Sequence, residues 1–164
     1  MKFIISYPLL IIILVFGLFG CGNNNNSEEN VKGESYINKD SQQVDDFKVS
    51  INVENTENAL NVYATITYTG EEAEKDIYHG GSIFFFNVYQ QDGDFKYIGG
   101  MDEPLLSTTL FKNEPYRVNL NVLDIPNLNP GIYEFEAIAD FSLDADDVLG
   151  TEVEIPVSKI VEIE

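Results

Sequence analysis

Asn127-Leu128-Asn129-Pro130-Gly131, followed by Ile132-Tyr133-Glu134-Phe135-Glu136-Ala137-Ile138-Ala139-Asp140-Phe141, is the stretch whose reading decides the fold. Asparagine, proline and glycine in close succession turn a chain, because proline fixes φ and asparagine and glycine accept backbone angles that other residues resist. Beyond the turn, Tyr133, Phe135, Ala137, Ala139 and Phe141 fall on one face of an extended chain, with Glu134, Glu136 and Asp140 opposite. Successive side chains alternate across a strand, so a period of two describes a strand with one face in a core and the other in water.

The same period recurs on both sides. Upstream, Phe47, Val49, Ile51 and Val53 alternate with Lys48, Ser50, Asn52 and Glu54. After the turn residues Asn55 to Asn58, Leu60, Val62, Ala64 and Ile66 alternate with Asn61, Tyr63, Thr65 and Thr67. Glu71 to Asp76 reads as a charged loop. Ile83 to Tyr89 is apolar on both faces, which fits a central strand, and Gln91-Asp92-Gly93-Asp94 carries a hairpin turn signal before Phe95 to Ile98. Leu105 to Phe111 is a short strand broken by Lys112 to Pro115, and Tyr116, Val118, Leu120 and Val122 alternate after it. Downstream, Asp144 to Asp147 is a loop, and Val153, Ile155 and Val157 head a last strand. Pro156 has no N–H to donate, which puts that strand at a sheet edge. No segment reads as a helix longer than one turn.

Seven or eight short strands with turns between them predict an all-β sandwich or barrel for residues 46–164. Pro130-Gly131-Ile132-Tyr133-Glu134-Phe135 resembles the start of strand F in immunoglobulin-like domains, where a tyrosine closes a corner and a buried residue follows two places on. Phe135 stands where antibody domains place a cysteine. The resemblance implies an immunoglobulin-like Greek-key sandwich of seven to eight strands with no disulfide. Three pieces, Leu60 to Tyr68, Phe84 to Gly93 and Asn129 to Tyr133, also resemble the family typified by the intracellular proteinase inhibitor of Gram-positive bacteria. That likeness covers about half of the domain, and it implies a protease inhibitor-like activity as the alternative to a plain binding module.

The N-terminus differs in kind. Lys2 is followed by an apolar run, Phe3 to Phe16, that closes on Leu18-Phe19-Gly20 before Cys21, the only cysteine. A charged start, a short apolar core and a small residue before the cut describe a secretory signal peptide at 1–20. Leu18-Phe19-Gly20-Cys21 resembles the lipobox of bacterial lipoproteins, which implies cleavage between Gly20 and Cys21 and a diacylglyceryl group on the Cys21 sulfur. Palmitate-type chains would then hold the protein on the extracytoplasmic face of the cell membrane. An uncleaved anchor competes with this reading, although 3–20 is barely long enough to span and Ser6, Tyr7 and Pro8 weaken its first turn. An ordinary secretory signal also competes, but it would leave an odd free thiol in an oxidising compartment. Residues 21–45 are rich in Asn, Ser, Glu and Lys and read as a lipidated cysteine on a polar tether, with a coil reach of roughly 25–30 Å.

Charge excludes some partners. Once Lys2 leaves with the leader, 28 acidic residues face 8 basic ones, a formal charge of about −20. Such a surface repels nucleic acid and anionic headgroups. No cofactor motif and no catalytic set stands out. His79, in Tyr78-His79-Gly80-Gly81-Ser82, is the only histidine, and Ser82 beside it has no nucleophile-elbow context, so His79 reads as a loop residue. One histidine and one lipidated cysteine leave no zinc or copper ligand set. Asp144, Asp146 and Asp147 have the alternate carboxylates that suit calcium, but the sixth-place glycine and twelfth-place glutamate of a calcium loop are absent. The aromatic run Phe84-Phe85-Phe86 is the one lead to a protein partner. Phe84 and Phe86 face one way and Phe85 and Tyr89 the other, so one set is core and the second is either a partner patch or covered by a loop. The sequence thus predicts a non-enzymatic, membrane-tethered interaction module.

Overall fold

A computed structural model of the chain describes residues 39–56, 59–100, 104–121 and 128–164. Among these residues ten strands form, and every ladder between strands is antiparallel. They are β1 (Ser41–Val44), β2 (Phe47–Thr56), β3 (Ala59–Tyr68), β4 (Glu74–His79), β5 (Phe84–Gln90), β6 (Lys96–Ile98), β7 (Leu106–Phe111), β8 (Pro115–Asn119), β9 (Gly131–Ser142) and β10 (Glu152–Ile163). One sheet has the order β1-β2-β3-β8, and the other runs β6-β5-β9-β4-β7 with β10 on the far edge of β9. The chain passes from the first sheet to the second after β3, returns after β7 and crosses again after β8, which is a Greek-key sandwich. β9 lies between β10 on one edge and β5 with β4 on the other, the place of strand F in immunoglobulin-like domains. The fold carries no intrachain disulfide, because the chain has a single cysteine.

The deciding stretch behaves as its residues dictate. Tyr133 is buried, and its hydroxyl donates to the Asn129 carbonyl at 2.9 Å, closing the corner before β9. Phe95, from the β5–β6 turn, packs edge-on against the Tyr133 ring with centroids 5.9 Å apart. The inward residues of β9 then meet the first sheet, with Phe141 edge-on to Phe47 of β2 at 4.9 Å. Val49, Ile51, Val62, Ala64 and Ile66 fill the opposite side of the core. Burying each large apolar side chain contributes roughly 1.5–3 kcal/mol, and without a disulfide this layer carries the stability.

Two strands go beyond the seven or eight expected. β1 lies within residues 21–45, which read as tether: Ser41–Val44 pairs with Ser50 to Phe47 of β2, and Lys39 bridges Ser158 of β10. Ser-Gln-Gln-Val has almost no apolar content, so main-chain hydrogen bonds to an existing edge hold it. β4 includes Glu74-Lys75-Asp76, read as loop. It is clamped between β7 along six residues and β9 at the Tyr78–Ser142 pair, with Ile77 as its one fully buried apolar anchor. β4 and β5 follow the same edge of β9, since Tyr78 stands opposite Ser142 and Phe84 opposite Ala139. They are one strand interrupted at Gly80-Gly81-Ser82.

Pro156 sits where its chemistry requires. Ser158 donates its N–H outward to the Lys39 carbonyl at 3.0 Å, and residues two apart direct their N–H groups to the same edge. The missing donor of Pro156 therefore faces the outer edge of β10, away from β9.

Candidate functional site

The interruption between β4 and β5 places His79 at the end of a strand rather than in a loop. The residue is buried, and both ring nitrogens are engaged: Nδ1 with the Gly80 carbonyl at 2.7 Å and Nε2 with the Thr108 hydroxyl of β7 at 2.8 Å. A carbonyl can only accept, so Nδ1 carries a proton and Nε2 is left to the Thr108 hydroxyl. The Ser82 hydroxyl accepts from the Phe84 N–H at 3.1 Å. His79 and Ser82 thus hold the ends of the strand interruption in shape and do not form a nucleophile–base pair.

The other residues singled out in the sequence are dispersed. Phe84 and Phe86 point into the core, whereas Phe85 is half-buried on the outer face, in a cross-strand row with Ile138 and Pro156. Tyr89 stands in the same face opposite Glu134. Burial together with Glu136 and Glu134 raises the Tyr89 phenol above its usual range. The acidic loop turns its carboxylates on its own backbone: Asp144 accepts from the Asp146 N–H at 2.9 Å and Asp147 from the Gly150 N–H at 3.1 Å. Among the described residues, no three His, Cys, Asp or Glu side chains converge on a point where a metal ion could sit. Gly20 and Cys21, the expected cleavage and lipidation residues, lie outside the described residues. No helix among the described residues is long and apolar enough to cross a membrane.

Two clefts open on either side of His79. One, of about 590 Å³, lies between the edge strands β7 and β8 and is lined by Leu106, Thr108, Tyr116 and Val118. The other, of about 520 Å³, lies between the end of β4 and the turn after β9, floored by Tyr78, His79 and Phe141 and flanked by Leu105 and Leu149. Leu149 is 85 % exposed, and Leu105, Leu106 and Tyr116 are also exposed. These four apolar side chains, with Leu105 shared by both clefts, gather at one part of the sandwich.

Acidic groups rim the second cleft. Asp140 and Glu152 line it, and Glu154 stands opposite Asp140 across the β9–β10 ladder. Partial burial, then the charges of Glu152 and Glu154, lift the Asp140 carboxyl above its ordinary range. Among the described residues, no Lys or Arg lines either cleft. Arg117 is instead stacked on the Tyr63 ring at 3.5 Å, and Lys96 lies over the Tyr89 ring at 5.6 Å.

The chain matches no known family model, no curated protein and no solved structure. Any functional assignment therefore rests on the sequence and on this geometry. The cleft residues Leu105, Leu149, Asp140 and Glu152 were not singled out by sequence reasoning. One signal was there: Leu149 is a large apolar residue inside a polar turn, Asp146-Asp147-Val148-Leu149-Gly150.

Proposed function

We propose that this protein is an extracytoplasmic lipoprotein, held on the membrane by acyl chains on Cys21, whose sandwich is a non-catalytic module that binds a protein partner. The single observation that carries the binding role is the gathering of Leu105, Leu106, Tyr116 and Leu149 in water around two clefts. Exposed apolar groups scattered singly need no account, but a contiguous group bordering a concavity marks an interaction surface. The non-catalytic part draws support from His79, whose ring nitrogens are both committed to structural hydrogen bonds, and from the engaged Ser82 hydroxyl. The anchoring part draws support from the apolar run that ends at Gly20-Cys21. A diacylglyceryl group supplies two acyl chains, enough for lasting attachment where one chain would be marginal.

Anchoring is tested by Cys21→Ala. The variant is expected to leave the membrane fraction or to accumulate as an unprocessed precursor, and retention in the membrane at mature size would refute lipidation. Binding is tested by crosslinking the full-length protein on intact cells. A discrete crosslinked partner that disappears when Leu106 and Tyr116 are replaced by Ser is the expected result, and the absence of any such product would count against a binding role.

A further inference from the structure

The proposed binding role, on which this inference rests, names neither the face used nor the kind of partner. We propose that the cleft between the end of β4 and the turn after β9 binds a positively charged, extended peptide segment of the partner, which seats an apolar side chain between Leu105 and Leu149 and sets Lys or Arg side chains against Asp140 and Glu152.

The apolar half of the argument starts at Leu149. Its turn is held rigidly: Ser142 donates its hydroxyl to the Val148 carbonyl at 2.7 Å, Asp147 accepts from the Gly150 N–H, and the Thr151 hydroxyl donates to the Asp147 carbonyl at 2.8 Å. Leu149 stands 85 % exposed on this turn and lines the same cleft as Leu105. An apolar side chain of a partner would bury both itself and Leu149, and such burial drives association without any change in the fold.

The second half is charge. Among the described residues the cleft is lined by two carboxylates, Asp140 and Glu152, and by no Lys or Arg, and Glu154 adds a third negative charge across the ladder from Asp140. Like charges on adjacent rungs repel, and partial burial of Asp140 weakens the screening that would relieve them. A cation brought against the rim removes that repulsion. The same field opposes a nucleic acid or an anionic lipid surface, and it opposes a second copy of this chain, so a basic protein segment is the occupant that the rim selects.

The test uses the full-length lipoprotein in detergent micelles and three sets of short synthetic peptides. The first set carries a Leu or Phe flanked by Lys or Arg, the second has Glu in place of the basic residues, and the third has Ser in place of the apolar one. The expected result is binding of the first set alone, with affinity falling as salt rises. Leu149→Ser should weaken that binding by roughly tenfold or more, and Asp140→Asn with Glu152→Gln should flatten its salt dependence. Ile98→Asp removes an exposed apolar residue of β6 that does not line the cleft, and it should leave affinity unchanged. Equal binding of the Glu peptides, no binding of any peptide, or an unaltered affinity for folded Leu149→Ser would overturn the proposal. A crosslinked cellular partner that survives Leu149→Ser would also overturn it while leaving the broader binding role intact.

Discussion

Tyr133 shows how much one side chain decides. Its ring is buried beside Phe95, and its hydroxyl ties the Asn129 carbonyl to the first residues of β9. Tyr133→Phe keeps the ring and removes the tie, and should cost about 1 kcal/mol in urea unfolding, the usual net worth of one hydrogen bond. Phe135→Ala, two places on, should cost about 3–5 kcal/mol, because it empties a site in a core with no covalent crosslink. Asp140 behaves in the opposite sense. Its carboxyl titrates above the ordinary value of 3.8 in the fold, so between these two points the folded chain binds more protons than the unfolded one. Stability contributed by this group is therefore lost as pH rises through that window. Asp140→Asn should raise Tm at pH 7, and the gain should vanish below about pH 3.8, where Asp140 is protonated in both states. A gain that persists unchanged at low pH would point to a cause other than charge.

At the scale of elements, close backbone approach limits what each strand tolerates. A Cβ on Gly99 would stand 2.6 Å from the Phe86 carbonyl oxygen, on the hydrogen bond by which the Gly99 N–H closes the β5–β6 hairpin, whereas one on Gly100 would meet none of the described residues within 4 Å. Gly99→Ala should destabilise the domain by about 1–3 kcal/mol and Gly100→Ala by much less, as read by thermal unfolding of the two variants side by side. The strands with strict alternation, β2, β3 and β9, were legible because Phe47 to Val53, Val62 to Tyr68 and Tyr133 to Phe141 each turn one face into the core. β5 was legible as central from its apolar run. β1 and β4 were not. Ser41–Val44 is a strand because β2 offers it a free edge, and Glu74–His79 because β7 and β9 flank it. Neither has the apolar content that would announce it, and hydrogen bonds between main chains leave no mark in sequence. His79 was misplaced for the same reason: Thr108, its partner, lies 29 residues away on β7.

Over the whole molecule, charge acts against compactness. A chain with formal charge −19 holds its carboxylates closer together when folded than when unfolded. Raising NaCl from about 10 mM to about 150 mM shortens the screening length from roughly 30 Å to about 8 Å, and Tm should rise with it. A Tm that falls would mean that attractive ion pairs dominate instead. The sequence by itself determined the all-β class, the turn and tyrosine at Pro130 to Tyr133, the outward-facing proline of β10 and the lack of any disulfide, because these follow from local patterning and residue chemistry. It also carries the lipobox-like Gly20-Cys21, whose meaning is a matter for fractionation. The tertiary structure alone decided the strand order, the split of one strand into β4 and β5, the commitment of His79 to Thr108, and the meeting of Leu105, Leu149, Asp140 and Glu152 around one cleft. Those residues are up to 47 positions apart in the chain, and only the folding of β9 and β10 against β4 brings them to a common place.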